Sequence, residues 1–140
     1  MSLFFYVYGL AFVHEIYLAG GFELVNATYR HPPRTTEQVL HPETYLAGEL
    51  PVVIGPPPVP EGLERIADGS FGELMLREVI SSCSGWGKAC SASAGWGGDR
   101  FLIVADSAGR RAMLWVVVWD TPEAARRFEQ LLDDLAGCWL

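Results

Sequence analysis

The sequence predicts an α+β fold in which a small, mostly antiparallel sheet is packed by about three to five helices. Two β-rich runs near the C-terminus, residues 101–105 and 111–119, flank the turn-forming segment from Asp106 to Gly109 and predict a hairpin. The segment Asp120-Thr121-Pro122-Glu123 then places a capping residue, a proline and an acid where a helix begins. These observations predict a strand–turn–strand–helix unit onto which the rest of the chain packs.

The first helix is predicted over residues 4–19, because apolar residues recur there every three or four positions and share one face: Phe5, Tyr8, Phe12, Ile16 and Ala19. Gly20-Gly21 is expected to end it. The apolar stretch 3–13 is shorter than the roughly 20 residues that cross a bilayer, so it predicts a buried helix and no membrane span. No Lys or Arg precedes Arg30, so no signal peptide is indicated.

Residues 22–29 predict a second short helix that the prolines at 32 and 33 stop. Thr35, with Gln38 three residues later, fits a capping box that opens a short helix closed by His41 and its following proline. A short strand is predicted over residues 50–54. The proline-rich connection 55–60 is the one internal boundary in an expected single domain, residues 1–140.

Between residues 63 and 94 the sequence predicts one strand followed by two helices. Residues 63–67 predict a strand, and Ser70 with Glu73 fits a second capping box, which would open a helix over 71–81. A shorter helix is predicted over 87–94. Within the strand predicted over 111–119, residues 112–119 are apolar at both odd and even positions, which predicts a central strand covered on both faces. In the last helix the predicted buried stripe consists of Ala125, Phe128, Leu131, Leu132 and Leu135.

Net charge and cysteine spacing limit the classes of partner and of site that the sequence predicts. A net charge of -7 with scattered basic residues argues against nucleic acid as a partner, because phosphate binding needs clustered Lys and Arg. The three cysteines, Cys83, Cys90 and Cys138, form no CxxC pair, which disfavours zinc ribbons and thioredoxin-type chemistry. In an exported protein one bridge would form, either Cys83 to Cys90 or one of these to Cys138.

Candidate metal ligands are few. His14-Glu15 begins like a zinc-protease helix, but Leu18 stands where the second His is needed. His31 and His41 with Glu37 or Glu43 would make a two-His, one-carboxylate set. The favoured interpretation is that both histidines terminate helices, where a cation suits exposed carbonyls. No metal and no cofactor is therefore predicted.

The glycine-rich segment Gly95-Trp96-Gly97-Gly98 lacks the Gly-Lys-Ser/Thr ending of a nucleotide loop. It predicts a tight corner, with Trp96 in the core and Asp99 or Arg100 tying the turn. The serines between 81 and 93 show no Gly-x-Ser-x-Gly pattern. The residues therefore predict no catalytic constellation.

Two stretches match motifs of a known family. The first contains Tyr6-x-x-Gly9, Gly20-Gly21 and the run Thr35-Thr36-Glu37-Gln38-Val39-Leu40-His41-Pro42-Glu43-x-Tyr45. The second contains Gly72-Glu73, Ala94-Gly95-Trp96-Gly97-Gly98-Asp99-Arg100 and Trp119-Asp120-Thr121. Together they resemble the C-terminal half of a family of bacterial zinc-metallopeptidase-like proteins, often exported or lipid-anchored. In that family a His-Glu-x-x-His helix lies upstream of such stretches, and this sequence contains none.

The resemblance implies a fragment that lacks the catalytic half, from an exported or cell-surface protein. Its motifs supply the candidate binding residues: Glu37, Gln38, His41, Tyr45, Trp96, Asp99 and Arg100. Three functions are open. They are a non-catalytic C-terminal portion with a scaffold or substrate-cleft role, a stand-alone binding domain, and a small hydrolase that uses His41, Glu37 and Asp99. The expected partners are an upstream domain of the same protein or a second copy, since a chain cut from a larger fold exposes apolar surface.

Overall fold

The computed structural model describes residues 2–138, with side chains from residue 4 onward. The chain divides into two units, residues 1–50 and 51–140, so the boundary falls just ahead of the proline-rich stretch. Within the described residues, no helix is both long enough and apolar enough to cross a membrane.

The first unit is built on helix α1 (Ser2–Arg30), which Gly20 and Gly21 interrupt. Gly21 adopts φ 62° and ψ -162°, a conformation that glycine reaches at low cost, and this kink confirms the two predicted helices. Two single-turn helices follow, α2 (Thr36–Leu40) and α3 (Pro42–Leu46). Of the predicted capping box, the Thr35 half is confirmed, since Thr35 Oγ1 accepts a hydrogen bond from the Gln38 amide at 3.1 Å. The other half is wrong, because the Gln38 side chain accepts from the Arg34 amide rather than from the Thr35 amide.

The expectation that α1 is a buried helix is wrong. Among its described side chains only Phe12 and Ile16 are buried. Many of its large apolar side chains are exposed: Phe5, Tyr6, Leu10, Leu18 and Phe22. A three-to-four spacing of apolar residues predicts a helix with an apolar face. It does not show whether another part of the protein covers that face.

The second unit contains a three-stranded antiparallel sheet, β1 (Glu64–Gly69), β2 (Trp96–Ala105) and β3 (Arg111–Trp119), in the order β1-β2-β3. Helices α4 (Gly72–Ser84), α5 (Trp86–Ser93) and α6 (Pro122–Leu135) complete it. The predicted α+β class, the hairpin and the closing helix are therefore confirmed.

Three strand predictions are corrected. The strand β2, not β3, is central, and β3 lies at an edge with Met113 and Val116 exposed. The segment 50–54 forms no strand, although the Val52 amide donates to the Gly97 carbonyl at 2.7 Å. The strand β2 begins at Trp96 rather than at residue 101, because a bulge between Trp96 and Gly98 lets the glycine-rich segment join the sheet.

The core of this unit lies between the sheet and its helices. Its buried members are Leu76, Ile80, Ala89, Ala92, Trp96, Phe128, Leu131 and Leu135. In α6 the stripe starts at Ala124 rather than Ala125, and Leu132 is exposed. A disulfide joins Cys83 to Cys138 and leaves Cys90 as a thiol, which selects one of the pairings that the sequence left open.

Candidate functional site

Asp99 is a buried carboxylate of the second unit with a full set of hydrogen-bond donors around it. It lies on β2, is 4% exposed, and accepts four hydrogen bonds. Its Oδ1 accepts from Ser70 Oγ at 2.6 Å and from the Gly72 amide at 2.9 Å. Its Oδ2 accepts from the Phe71 amide at 2.9 Å and from Trp115 Nε1 at 2.8 Å.

This carboxylate caps helix α4 from the neighbouring sheet. The first amides of a helix have no partner within the helix, and a negative charge is favoured beside them. The predicted capping box at Ser70 is therefore wrong, because the Ser70 hydroxyl donates to Asp99 instead of accepting from Glu73. With two donors on each oxygen, Asp99 holds β2, β3 and α4 together and is committed to structure.

The residue expected to complete that box, Glu73, is fully buried and pairs with Arg77 one helical turn later. Arg77 Nη2 lies 2.5 Å and Nε lies 3.1 Å from Glu73 Oε1. Ser93 on α5 accepts from Arg77 Nε at 3.0 Å. The pair therefore links α4 to α5, and its buried charges are neutralised within the fold.

Trp96 and Arg100 also have structural contacts. Trp96 is 2% exposed and lies in the core cluster, as predicted. Arg100 forms an ion pair with Asp68 on β1. Neither Asp99 nor Arg100 ties the glycine corner, so that expectation is wrong. The corner is held by the Gly95 carbonyl, which accepts from the Asp120 amide at 2.9 Å.

In the first unit, the candidate residues hold the loop that follows α1. Tyr45 Oη donates to the His31 carbonyl at 2.6 Å, and its ring packs edge-on against Phe12. Gln38 Oε1 accepts from the Arg34 amide at 2.7 Å, while Gln38 Nε2 donates to the Glu49 carbonyl at 2.7 Å. Loop 31–34 is therefore fastened at both ends by side chains of the predicted motif.

The fastened loop forms the wall of an open pocket of about 690 Å³. Three basic side chains, Arg30, His31 and Arg34, line it. Within the described residues, neither arginine forms an ion pair with a carboxylate. The two side chains that fasten the loop, Gln38 and Tyr45, also line the pocket, together with apolar Leu24, Pro32, Pro33, Leu46 and Leu50.

A second, mainly apolar groove of about 230 Å³ shares Pro32 and Pro33 with this pocket. It lies between the two arms of α1 and is lined by Phe12, Val13, Ile16, Val25, Thr28 and Tyr29. The unit thus presents a basic pocket and an apolar groove on either side of one diproline.

The proposed hydrolase trio is divided between the two units. Glu37 is buried on α2, and His41 separates α2 from α3, with Nδ1 3.7 Å from Glu43 Oε1. Asp99 belongs to the other unit and already accepts four hydrogen bonds. Among residues 2–138 no three His, Cys, Asp or Glu side chains converge as metal ligands would.

The arginines of the pocket were not among the residues predicted from the sequence. Arg30 and Arg34 flank a helix-breaking diproline, a context that suggests a helix terminator rather than a ligand site. The available signal was local charge. Two arginines and a histidine fall within five residues of an otherwise acidic chain, and the chain reverses there, which brings their side chains to one pocket.

Comparison with known proteins gives one match. The family model described as a domain of unknown function (DUF8575) matches residues 62–139, which cover the sheet and the helices α4–α6. No curated protein and no solved structure matches the chain.

Proposed function

We propose that this chain, which belongs to the family DUF8575, is a non-catalytic binding module. In this proposal the second unit is a scaffold, and the pocket of the first unit binds the ligand. The ligand is an organic carboxylate with an apolar body, such as the C-terminal end of a peptide. The observation that carries the proposal is the set of basic side chains in a pocket whose other walls are largely apolar.

The chemistry of the pocket favours a carboxylate. A guanidinium presents a planar set of donors that matches a carboxylate in a bidentate arrangement. Arg30 and Arg34 supply two such groups, and Leu24, Leu46 and Leu50 supply apolar contacts for the rest of the ligand. Because Tyr45 and Gln38 use their polar atoms to hold the loop, the ligand's charge is left to the basic side chains.

Support for the scaffold role comes from the second unit. The acidic side chains that could act in catalysis there, Asp99 and Glu73, are buried within hydrogen-bonded or ion-paired sets. A carboxylate that four donors hold in place is a poor general base, because proton uptake would break its existing bonds.

The binding experiment uses an N-acetylated Ala-Leu-Leu tripeptide with a free C-terminal carboxylate, and its C-terminal amide, titrated calorimetrically. The acid is expected to bind about tenfold more tightly than the amide, and Arg30→Gln or Arg34→Gln is expected to remove about 1.4 kcal/mol of binding free energy. Arg126→Gln makes the same charge change at an exposed position of α6, in the second unit, and is the control. Equal binding of acid and amide, or no binding of either, would overturn the proposal.

The metallopeptidase resemblance adds a finer proposal, that this module is the C-terminal portion of such a protein and contributes to its substrate cleft. The parent reading frame tests it. A His-Glu-x-x-His helix encoded upstream would support the cleft role. A frame without one would contradict it and favour the alternative that the chain is a stand-alone binding domain. Zinc-dependent cleavage of the same tripeptide by this chain alone, followed by mass spectrometry, would contradict the non-catalytic assignment in both forms.

A further inference from the structure

The edge of the sheet formed by β3 is a surface that the proposed function does not use. The strand pairs with β2 on one side only, and it runs for nine residues without a proline. From Ala112 to Trp119 every residue is apolar. Exposed edges of this kind are normally protected by charges, prolines or covering segments, because their unpaired backbone groups recruit another strand.

The hydrogen-bonding pattern identifies the backbone groups that face outward. At the hairpin the Asp106 amide donates to the Arg110 carbonyl at 3.0 Å, and at the far end the Asp120 amide donates to the Gly95 carbonyl at 2.9 Å. Hydrogen-bonded pairs alternate along an antiparallel ladder, so both ends assign the even-numbered residues of β3 to β2. The amides and carbonyls of Met113, Trp115 and Val117 therefore point away from the sheet.

No backbone partner for these three residues occurs among residues 2–138. Met113 is 48% exposed. On the helix side of the strand, Trp115 and Val117 also line an apolar groove of about 310 Å³ with Val79, Phe128 and Leu132. The edge thus offers both unpaired backbone groups and adjoining apolar surface.

We propose that this edge pairs with β3 of a second copy, antiparallel and centred on Trp115, so that two three-stranded sheets form one continuous six-stranded sheet. A two-fold axis at Trp115 places outward-facing Met113 opposite outward-facing Val117 of the second copy. The same register places Arg111 opposite Trp119 of the second copy at each end. A cation–aromatic pair therefore closes each end, and this complementarity selects a second copy as the occupant.

The test compares the whole chain with two variants of the edge. Light scattering at micromolar concentration is expected to give twice the 15.4 kDa chain mass for the unaltered protein. Met113→Pro removes one outward amide without touching the β2 ladder and is expected to give a monomer, while Met113→Ala keeps the amide and is expected to remain a dimer. If the proline variant does not fold, Met113→Lys, which places a charge at the edge, is expected to give the monomer.

Amide exchange identifies what covers the edge. In the dimer the amides of Met113, Trp115 and Val117 are expected to exchange as slowly as those of their even-numbered neighbours. In the monomeric variant the outward amides alone should become fast. A monomeric unaltered chain overturns the proposal, whether its outward amides exchange rapidly or are protected by another segment of the chain. A dimer that persists in both Met113→Pro and Met113→Lys overturns it as well.

Discussion

Replacing Asp99 by Asn is expected to destabilise the second unit strongly, although the side chain hardly changes in size. An amide keeps one acceptor oxygen and turns the other position into a donor. If the oxygen stays toward Phe71 and Trp115, the new amino group faces Ser70 Oγ, which can rotate to accept, and the Gly72 amide, which cannot. Buried donors are then left without an acceptor, and the charge beside the helix N-terminus is lost.

The expected loss in the free energy of unfolding follows from the number of hydrogen bonds that Asp99 accepts. A hydrogen bond to a charged group contributes about 1.5–3 kcal/mol, and two of the four bonds to Asp99 are lost or reversed. Asp99→Asn should therefore reduce the free energy of unfolding by about 3 kcal/mol, a large share of the roughly 5–15 kcal/mol of an ordinary domain. Asp99→Ala removes all four acceptor contacts and should reduce it by about 6 kcal/mol in total.

Urea unfolding followed by tryptophan fluorescence measures this loss, because the midpoint shifts while the slope stays constant when only stability changes. Asp134→Asn is the matched control. Asp134 is exposed near the C-terminus of α6, where a negative charge is unfavourable, so its loss should be neutral or slightly stabilising. If Asp99→Asn costs less than about 1 kcal/mol, the inferred capping of α4 by this carboxylate is wrong.

Further predictions concern the cross-link, a glycine and the hairpin turn. Cys83→Ser opens a disulfide that spans 55 residues and should reduce the free energy of unfolding by about 4 kcal/mol, measured in urea. Gly98→Ala places a Cβ 2.6 Å from the Val52 carbonyl oxygen and should lower the melting temperature, whereas Gly87→Ala, which meets nothing within 4 Å, should not. Hydrogen bonds from Arg110 lower the pKa of Asp106 below its ordinary 3.8. Its contribution to stability is thus present above pH 3.8 and lost as pH falls through the lower folded value, and carboxyl NMR titration with a midpoint at or above 3.8 would contradict this.

The sequence predicted those parts of the fold whose signals are local. Thr121 precedes a proline and an acid, and α6 begins there. Thr35 caps α2 because its partner, Gln38, is three residues away. Ser70 has the same local signature, yet its partner is Asp99, 29 residues later in the chain. A local pattern cannot show that a distant carboxylate will take over the cap.

The position of β3 was mispredicted for a related reason. Apolar residues on both faces of a strand are typical of a central strand, but they also occur on an edge strand whose open side pairs with another chain. The basic pocket was not predicted, because its arginines flank a diproline that ends a helix and His31 was interpreted as a helix terminator. The pocket's shape depends on Tyr45 and Gln38, whose hydrogen bonds fix the loop and could not be assigned from spacing alone.

The disulfide between Cys83 and Cys138 determines how the second unit would respond to tension. A pull applied to the two ends of the polypeptide would pass covalently from Cys83 through the sulfur atoms to Cys138. Helices α5 and α6 and strands β2 and β3 lie wholly inside that closed loop. The pull would reach them only through the contacts that β1 and the start of α4 make with β2, and once those contacts broke, the chain could extend through its first 82 residues while the loop itself could not be drawn out.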